Sequence, residues 1–216
     1  PGFAINPLKF VNGIAKYALS KKLKIFENTK VDKIDKENGF YILKTKEGNI
    51  RSKKIVVATN GFYQEGLIPQ MDGRILPVIS NVIVTRKLNE DELNAHNFKT
   101  FSPIANTKNL LYYYRKLPDN RILFGTRGDL TGSDQSNLAM SLKMEKFLKN
   151  IFPKWSNVTI DYNWRGLIAL SQKLTPSIGK IENEEIYYGF GYNGVGVSAA
   201  PWTGKQLSKL VFSSNS

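Results

Sequence analysis

The apolar positions of this chain change period several times along its length. Over residues 7–22, PLKFVNGIAKYALSKK, the apolar residues Leu8, Val11, Ile14, Ala15, Ala18 and Leu19 recur at helical spacing behind Pro7, which suits a first turn. The spacing predicts a helix with one buried face. From 23 to 59 the pattern shortens to strand-like runs, read as strands over 23–27, 29–35, 39–45 and 50–59, with Asn38-Gly39 and Glu47-Gly48 as turns. The last run, Ile55-Val56-Val57-Ala58, is continuously apolar and opens into Thr59-Asn60-Gly61. It reads as a strand buried on both faces, delivering a small-residue loop at the end where open α/β sheets bind ligands.

Residues 74–87 predict a long strand with Pro77 near its start, and 109–127 a hairpin turning at Pro118-Asp119-Asn120. Between Ser133 and Trp155 the period returns to helical, offering Leu138, Leu142, Met144, Phe147, Leu148 and Ile151 to a core. A strand over 158–170 follows. The pattern implies an α+β chain with some α/β elements: a largely antiparallel central sheet flanked by helices and bracketed by pieces of another domain.

The chain has 216 residues, of which 41% are hydrophobic and 12% aromatic, enough to bury a core and far from a disordered composition. Its longest uncharged stretch, 186–204, contains glycines at 189, 191, 194, 196 and 204, which argues against a membrane span. The chain opens at Pro1 with no basic-then-apolar leader, and the expectation is a cytoplasmic fragment lacking upstream sequence. There is no cysteine, so disulfides and thiolate chemistry are excluded, and the scattered carboxylates with one histidine show no metal-ligand spacing. The net charge is +13, with thirteen basic and five acidic side chains in residues 1–54. A basic stripe can bind nucleic acid, but these lysines are scattered through amphipathic elements, and a compositional bias is the better reading. His96, in LNAHNFK, reads as a surface residue.

The stretch YYGFGYNGVGV, 187–197, concentrates glycines ahead of a helical tail. The spacing Gly189-x-Gly191-x-x-Gly194 satisfies a dinucleotide fingerprint in form only, because no acidic residue follows Glu185 and no second strand follows the helix. Gly204-Lys205-Gln206 lacks the residues of a phosphate loop. The glycines therefore serve either a structural purpose or a ligand held mainly elsewhere.

Four segments, taken in order, carry a resemblance: GFAINPLKFVNGIAKYALSKKLKIFENTKVDKI, KIVVATNGFY, WRGLIALSQKLTPSIG and GFGYNGVGV. Together they resemble the FAD-dependent D-amino-acid oxidase and glycine oxidase superfamily, most nearly its gamma-glutamylputrescine oxidoreductase branch. The resemblance implies a partial FAD-binding domain over 1–72, a substrate-binding domain over 73–160 and a return to the FAD-binding domain over 161–216. It places Val31 at the adenine, where a sheet-core valine is the plainer reading. Ala58, Thr59, Asn60 and Gly61 fall along the phosphate and ribose. Trp164, Gly166, Pro176, Ile178 and Gly179 fall near the flavin ring. Gly191, Tyr192, Asn193, Gly194, Val195, Gly196 and Val197 match the flavin loop, where backbone N–H groups and a helix N-terminus favour negative charge.

Three departures qualify what is implied. The family's own glycine-rich strand turn precedes Pro1, so FAD binding would need a missing N-terminal half. Val195 stands where many relatives have histidine. Ile168 stands where members that oxidise amino acids place the arginine that pairs with substrate carboxylate, a bidentate contact no apolar residue can form. The implied activity is oxidation of a small amine, with FAD as hydride acceptor and the protein supplying position. No catalytic acid or base is assigned. Tyr112, Tyr114 and Arg127, on the central hairpin, are candidate substrate-facing groups, and alternation puts the two tyrosines on one face. The alternative is a non-catalytic remnant or split-gene half that folds without binding FAD.

Overall fold

The computed structural model describes residues 4–107, 111–129 and 131–213. Gly2 and Phe3 of the opening segment, and Asn109 and Leu110 of the expected hairpin, lie outside the described residues. The chain divides into two compact units. One contains Val78–Leu167 with Ala4 and Ile5, and the other Asn6–Pro77 with the chain from Ile168 onward. Of the three crossings, those at Pro77-Val78 and Leu167-Ile168 fall inside strands, and the one at Ile5-Asn6 falls at the cap of the first helix.

In the second unit, α1 (Pro7–Ser20) forms where its spacing places it, with Asn6 Oδ1 accepting the Lys9 N–H at 3.0 Å and Pro7 in the first turn. The expected buried face is not buried. None of its residues is, and Leu8 and Val11 are 69% and 59% exposed. Periodicity reports that a helix has an apolar stripe; it does not report whether the same chain supplies the layer to cover it. Residues 23–27 form no strand. Three strands follow, β1 (Val31–Glu37), β2 (Phe40–Thr45) and β3 (Gly48–Ser52), in one antiparallel sheet. Asn38 and Gly39 both have positive φ, 49° and 76°, as a two-residue hairpin turn requires. The expected strand over 50–59 is broken at Lys53-Lys54, and β4 (Ile55–Val57) joins a different sheet. It lies at that sheet's edge with Val56 48% exposed, so it is not covered on both faces as its apolar run suggests.

The first unit is built on a five-stranded sheet of β5 (Leu76–Thr85), β6 (Ile104–Ala105), β7 (Tyr112–Lys116), β8 (Ile122–Asp129) and β9 (Ile160–Leu170) in the order β6-β7-β8-β5-β9. Two helices belong to it, α2 (Glu90–Ala95) and α3 (Asp134–Ile151). Ser133 caps α3, accepting the Ser136 N–H at 3.1 Å. The buried line on α3 is Met140, Met144 and Leu148, while Leu138 and Leu142 are each 60% exposed and Ile151 is also exposed. The apolar residues span more of the helix than one sheet face can cover, so the sheet's position selects the row four residues apart. Trp155, fully buried, donates its Nε1–H to the Glu92 carbonyl at 2.8 Å and stacks 4.2 Å from Phe152. His96 is not a plain surface residue. Its Nε2 accepts the Lys154 N–H at 3.0 Å and its ring lies edge-on to Phe152 and Trp155.

The chain returns to the second unit through β10 (Ser177–Lys180), β11 (Ile186–Phe190) and α4 (Gly196–Ser213). The sheet order is β10-β11-β4, with β10 antiparallel to β11 and β11 parallel to β4. Tyr41 on β2 binds this sheet's hairpin: its hydroxyl donates to Glu184 Oε2 at 2.5 Å and accepts the Glu185 N–H at 2.8 Å. Burial first, then the Glu184 carboxylate, pushes the Tyr41 phenol up to about 12. Among the described residues no helix is long and apolar enough to cross a membrane.

One ion pair gives the first unit a pH signature. Asn89 and Glu92 form a reciprocal capping box at α2, and Glu92 also accepts two bonds from Arg86, at 2.7 and 2.9 Å. The Arg86 bonds are the main reason the Glu92 carboxyl falls from 4.5 to about 2. A depressed carboxyl contributes stability above its unfolded value and loses it as pH falls toward the folded value. In Glu92→Gln, denaturant unfolding should show a loss of about 1–2 kcal/mol at pH 7. The part of the acid destabilisation that lies between pH 4.5 and 2 should flatten. Superimposable wild-type and variant pH profiles would overturn this assignment.

Candidate functional site

The site is assembled from segments far apart in sequence. In the parallel pair, Ile55 lies opposite Ile186 and Val57 opposite Tyr188, so the carboxyl ends of β4 and β11 emerge together. Past β4, Ala58 and Thr59 are exposed, and Asn60, at φ 50°, opens a short 3-10 turn (Asn60–Phe62) in which Gly61 is buried. Past β11 the chain turns through Gly191, Asn193 and Gly194, all at positive φ, into α4.

Two asparagines tie these segments together. Asn60 Oδ1 accepts the Gly191 N–H at 3.0 Å. The Asn193 backbone N–H donates to the Ala169 carbonyl at 2.9 Å, its Oδ1 accepts the Ser171 N–H at 3.0 Å, and its Nδ2 donates to the Gly191 carbonyl. The end of β9 is thereby held against the glycine loop, and the loop against the end of β4.

The glycines have separable reasons. A Cβ at Gly189 would come 2.6 Å from Thr203 Cγ2 and 2.9 Å from Leu207 Cδ1, so this glycine lets α4 pack closely on β11. At Gly191, φ is 73° and a Cβ would lie 2.7 Å from Ser171 Cβ. Both needs are internal to the protein. Their result is that α4 starts at Gly196, just beyond the parallel pair, with no acid in its first turn and with Val195 and Val197 more than half exposed. Its N–H donors suit a negatively charged or polar ring edge. The loop and the start of α4 would suit the flavin end of FAD, and the small, exposed Ala58 and Thr59 leave room for a cofactor to pass close to β4. The pyrophosphate has no comparable cradle here, because β4 runs into a 3-10 turn where a glycine-rich entry to a long helix would be needed.

The other expected positions are spread more widely. Val31 begins β1, half-buried. Pro176 and Ile178 are half-buried at β10, and a Cβ at Gly179 would come 2.6 Å from the Tyr188 hydroxyl. Trp164 and Gly166 lie on the part of β9 that belongs to the first unit, Trp164 being 46% exposed, and Ile168 is half-buried where β9 enters the second. Tyr112 and Tyr114 share a face, as alternation requires, but it is the face packed on the core: Tyr112 lies 4.6 Å from Phe147 and Tyr114 5.5 Å from Phe152. Burial raises the Tyr112 phenol. Arg127 projects from the other face of β8, so the three do not converge.

That other face carries a tyrosine which the sequence did not single out. Tyr113 lies across Gly125, where a Cβ would meet its ring at 2.1 Å, and its hydroxyl is 3.2 Å from Ser80 Oγ. The signal was present in YYY opposite a strand glycine, but only the register shows which tyrosine meets it. Ser171 was likewise missed, since nothing local announces that its N–H is the partner of Asn193.

A parallel strand pair ending in a glycine loop and helix, with a separate antiparallel sheet, makes a mixed α/β architecture. The FAD dependent oxidoreductase family, DAO, matches residues 1–210, and the chain belongs to that family. It is similar to a probable oxidoreductase OrdL of Haemophilus influenzae, 30% identical over 212 residues, which covers 96% of this chain and 47% of that protein. It is also similar to gamma-glutamylputrescine oxidoreductase of Escherichia coli, 30% identical over 210 residues, covering 97% and 48%. The chain thus spans about half the length of the relatives it matches. Among solved structures, L-proline dehydrogenase from P. horikoshii superposes with a TM-score of 0.74 at 24% identity, over 95% of this chain and 55% of that one. Glycine oxidase from Geobacillus kaustophilus gives 0.73 at 18%, over 93% and 52%. These likenesses bear out the α+β flavoprotein fold.

The asparagine tie is testable. Asn60→Ala removes the acceptor for the buried Gly191 and leaves alanine at a φ of 50°, for an expected loss of about 1–3 kcal/mol in denaturant unfolding. Asn60→Gly relieves the backbone but not the missing bond, and should recover only part of the loss. Full recovery in Asn60→Gly would show that conformation, not the hydrogen bond, holds the junction.

Proposed function

We propose that this chain is the flavin-loop half of a cytoplasmic FAD-dependent oxidoreductase that oxidises a small amine, gamma-glutamylputrescine-like, or an amino acid by hydride transfer. The observation that carries the proposal is the junction of Asn60, Gly191 and Asn193, which presents a helix N-terminus and small exposed residues at the carboxyl ends of two parallel strands. Such an end is where open sheets bind cofactors. Flavin supplies the two-electron acceptor when bound. Ala58, Thr59 and the loop Gly191–Val197 are the residues of this chain that would hold it, with Asn60 and Asn193 fixing the loop. The substrate amine needs positioning more than acid-base help, which agrees with a site whose polar groups are chiefly backbone donors.

We further propose that the cofactor is completed by a dinucleotide-binding segment beyond these 216 residues. Two observations support this. The chain spans about half the length of the relatives, and the apolar stripe of α1 and the outer face of Val56 on edge strand β4 are exposed. Parallel strands are ordinarily covered on both faces. One observation favours the second reading, a half that folds without binding flavin: Gly189 and Gly191 are both accounted for by packing within the protein.

Titration of FAD into the purified chain, followed by quenching of flavin fluorescence, separates the readings when run beside a chain extended upstream through a glycine-rich strand and helix. The expected result is saturable quenching by the extended chain only, lost on Gly191→Val. Absence of binding by both supports the remnant reading and overturns the oxidoreductase one.

A further inference from the structure

The first unit holds a cavity of about 440 Å³ on the packed side of its sheet, between the edge formed by β6 and β7 and helix α3. That volume falls within the ~300–1,000 Å³ typical of small-molecule sites. Strand register builds one wall. Ile104 on β6 lies opposite Tyr114 on β7, and Tyr112 shares that face by alternation. Helix α3 builds the other wall through Phe147, Asn150 and Ile151, which fall at i, i+3 and i+4 on one face. No charged side chain lines the space.

The two tyrosines are anchored by their rings and not by their hydroxyls. Tyr112 lies 4.6 Å from Phe147 and stacks at 5.6 Å on Phe124, and Tyr114 stacks at 6.0 Å on the same Phe124. Asn106 fixes the start of β7: its N–H donates to the Tyr112 carbonyl at 3.0 Å, and its Oδ1 accepts the Tyr112 N–H at 3.0 Å. Among the described residues neither phenol hydroxyl has a hydrogen-bond partner. Nor is either sealed in the core, where the partnerless side-chain atoms are those of Asn81, Asp129 and Thr203. A tyrosine in such a half-buried place ordinarily finds a partner for its hydroxyl. Burial alone raises the Tyr112 phenol, as expected of a hydroxyl in apolar surroundings with no charged neighbour.

We propose that this cavity binds a small, uncharged aromatic molecule of about the size of phenol that carries one hydrogen-bonding atom, with Tyr112 and Tyr114 as its polar contacts and Phe147 as its ring contact. The three rings favour a further aromatic, edge-on or offset, over an aliphatic of equal area. Two hydroxyls two residues apart on one strand offer a donor and an acceptor to a single polar atom. The uncharged lining excludes an ion, whose desolvation nothing there would offset. Every lining residue belongs to the first unit, so the site goes beyond the proposed flavin chemistry and stands or falls without it.

The probes are phenol, cyclohexanol and benzoate, titrated calorimetrically into the chain without flavin. Saturable binding of phenol is expected, with cyclohexanol weaker by about threefold or more and benzoate by about tenfold or more. Tyr112→Phe and Tyr114→Phe keep the rings and should each weaken phenol by about fivefold, the contribution of one neutral hydrogen bond. Ile151→Trp, at an exposed position on the cavity rim, should fill the space and abolish binding. Far-UV circular dichroism of the three variants should match the parent chain. Failure of phenol to saturate, or equal affinity for benzoate or cyclohexanol, would overturn the proposal. So would phenol binding that none of the three substitutions changes, which would place the ligand in another cavity.

Discussion

The parallel pairing of β4 with β11 is the constraint on which the second unit depends. It places two loops, separated by some 130 residues of chain, at the same end of one sheet, and the bond from Gly191 to Asn60 closes them against each other. Everything that makes the site plausible follows. The glycine loop has a fixed wall, α4 starts at a defined point, and the end of β9 is drawn in through Asn193 and Ser171. A buried amide left without its acceptor costs more than an average hydrogen bond contributes, so this single contact has a disproportionate hold on the loop.

Tyr41 is the equivalent fastening on the other side of the unit. Its two bonds to Glu184 and Glu185 join the β1–β3 sheet to the hairpin of β10 and β11, and Lys36 adds an ion pair to the same Glu184 at 2.7 Å. Several other basic side chains make contacts of this kind. Lys33 and Lys44 both reach Asp35, and Lys180 reaches Glu185. Exposed pairs such as these contribute little stability individually.

The differences between expectation and structure share one cause: a sequence pattern names a face but not its neighbour. The stripe of α1 has the periodicity of a buried helix, yet none of its residues is buried. In α3 the apolar residues cover so wide an arc that the sheet had to choose among them, and it took Met140, Met144 and Leu148 over Leu138 and Leu142. Tyr112 and Tyr114 were correctly assigned to one face, yet that face turned out to be the packed one, and Tyr113 took the open side across Gly125. His96 has a polar neighbourhood in sequence and an aromatic one in space.

The sequence by itself determined α1, α3 and α4 but not the short α2, together with the hairpin turns at Asn38-Gly39 and Pro118-Asp119-Asn120 and the family, because these depend on periodicity, on residues that accept positive φ and on ordered local motifs. It also marked the glycine loop as unusual. Only the tertiary structure decided why each glycine is there, since Thr203, Leu207 and Ser171 approach from elsewhere in the chain. It alone brought Asn60 to Gly191 and Arg74 to Tyr188, pairs separated by 131 and 114 residues. Such contacts are created by strand pairing and register, which no local spacing encodes.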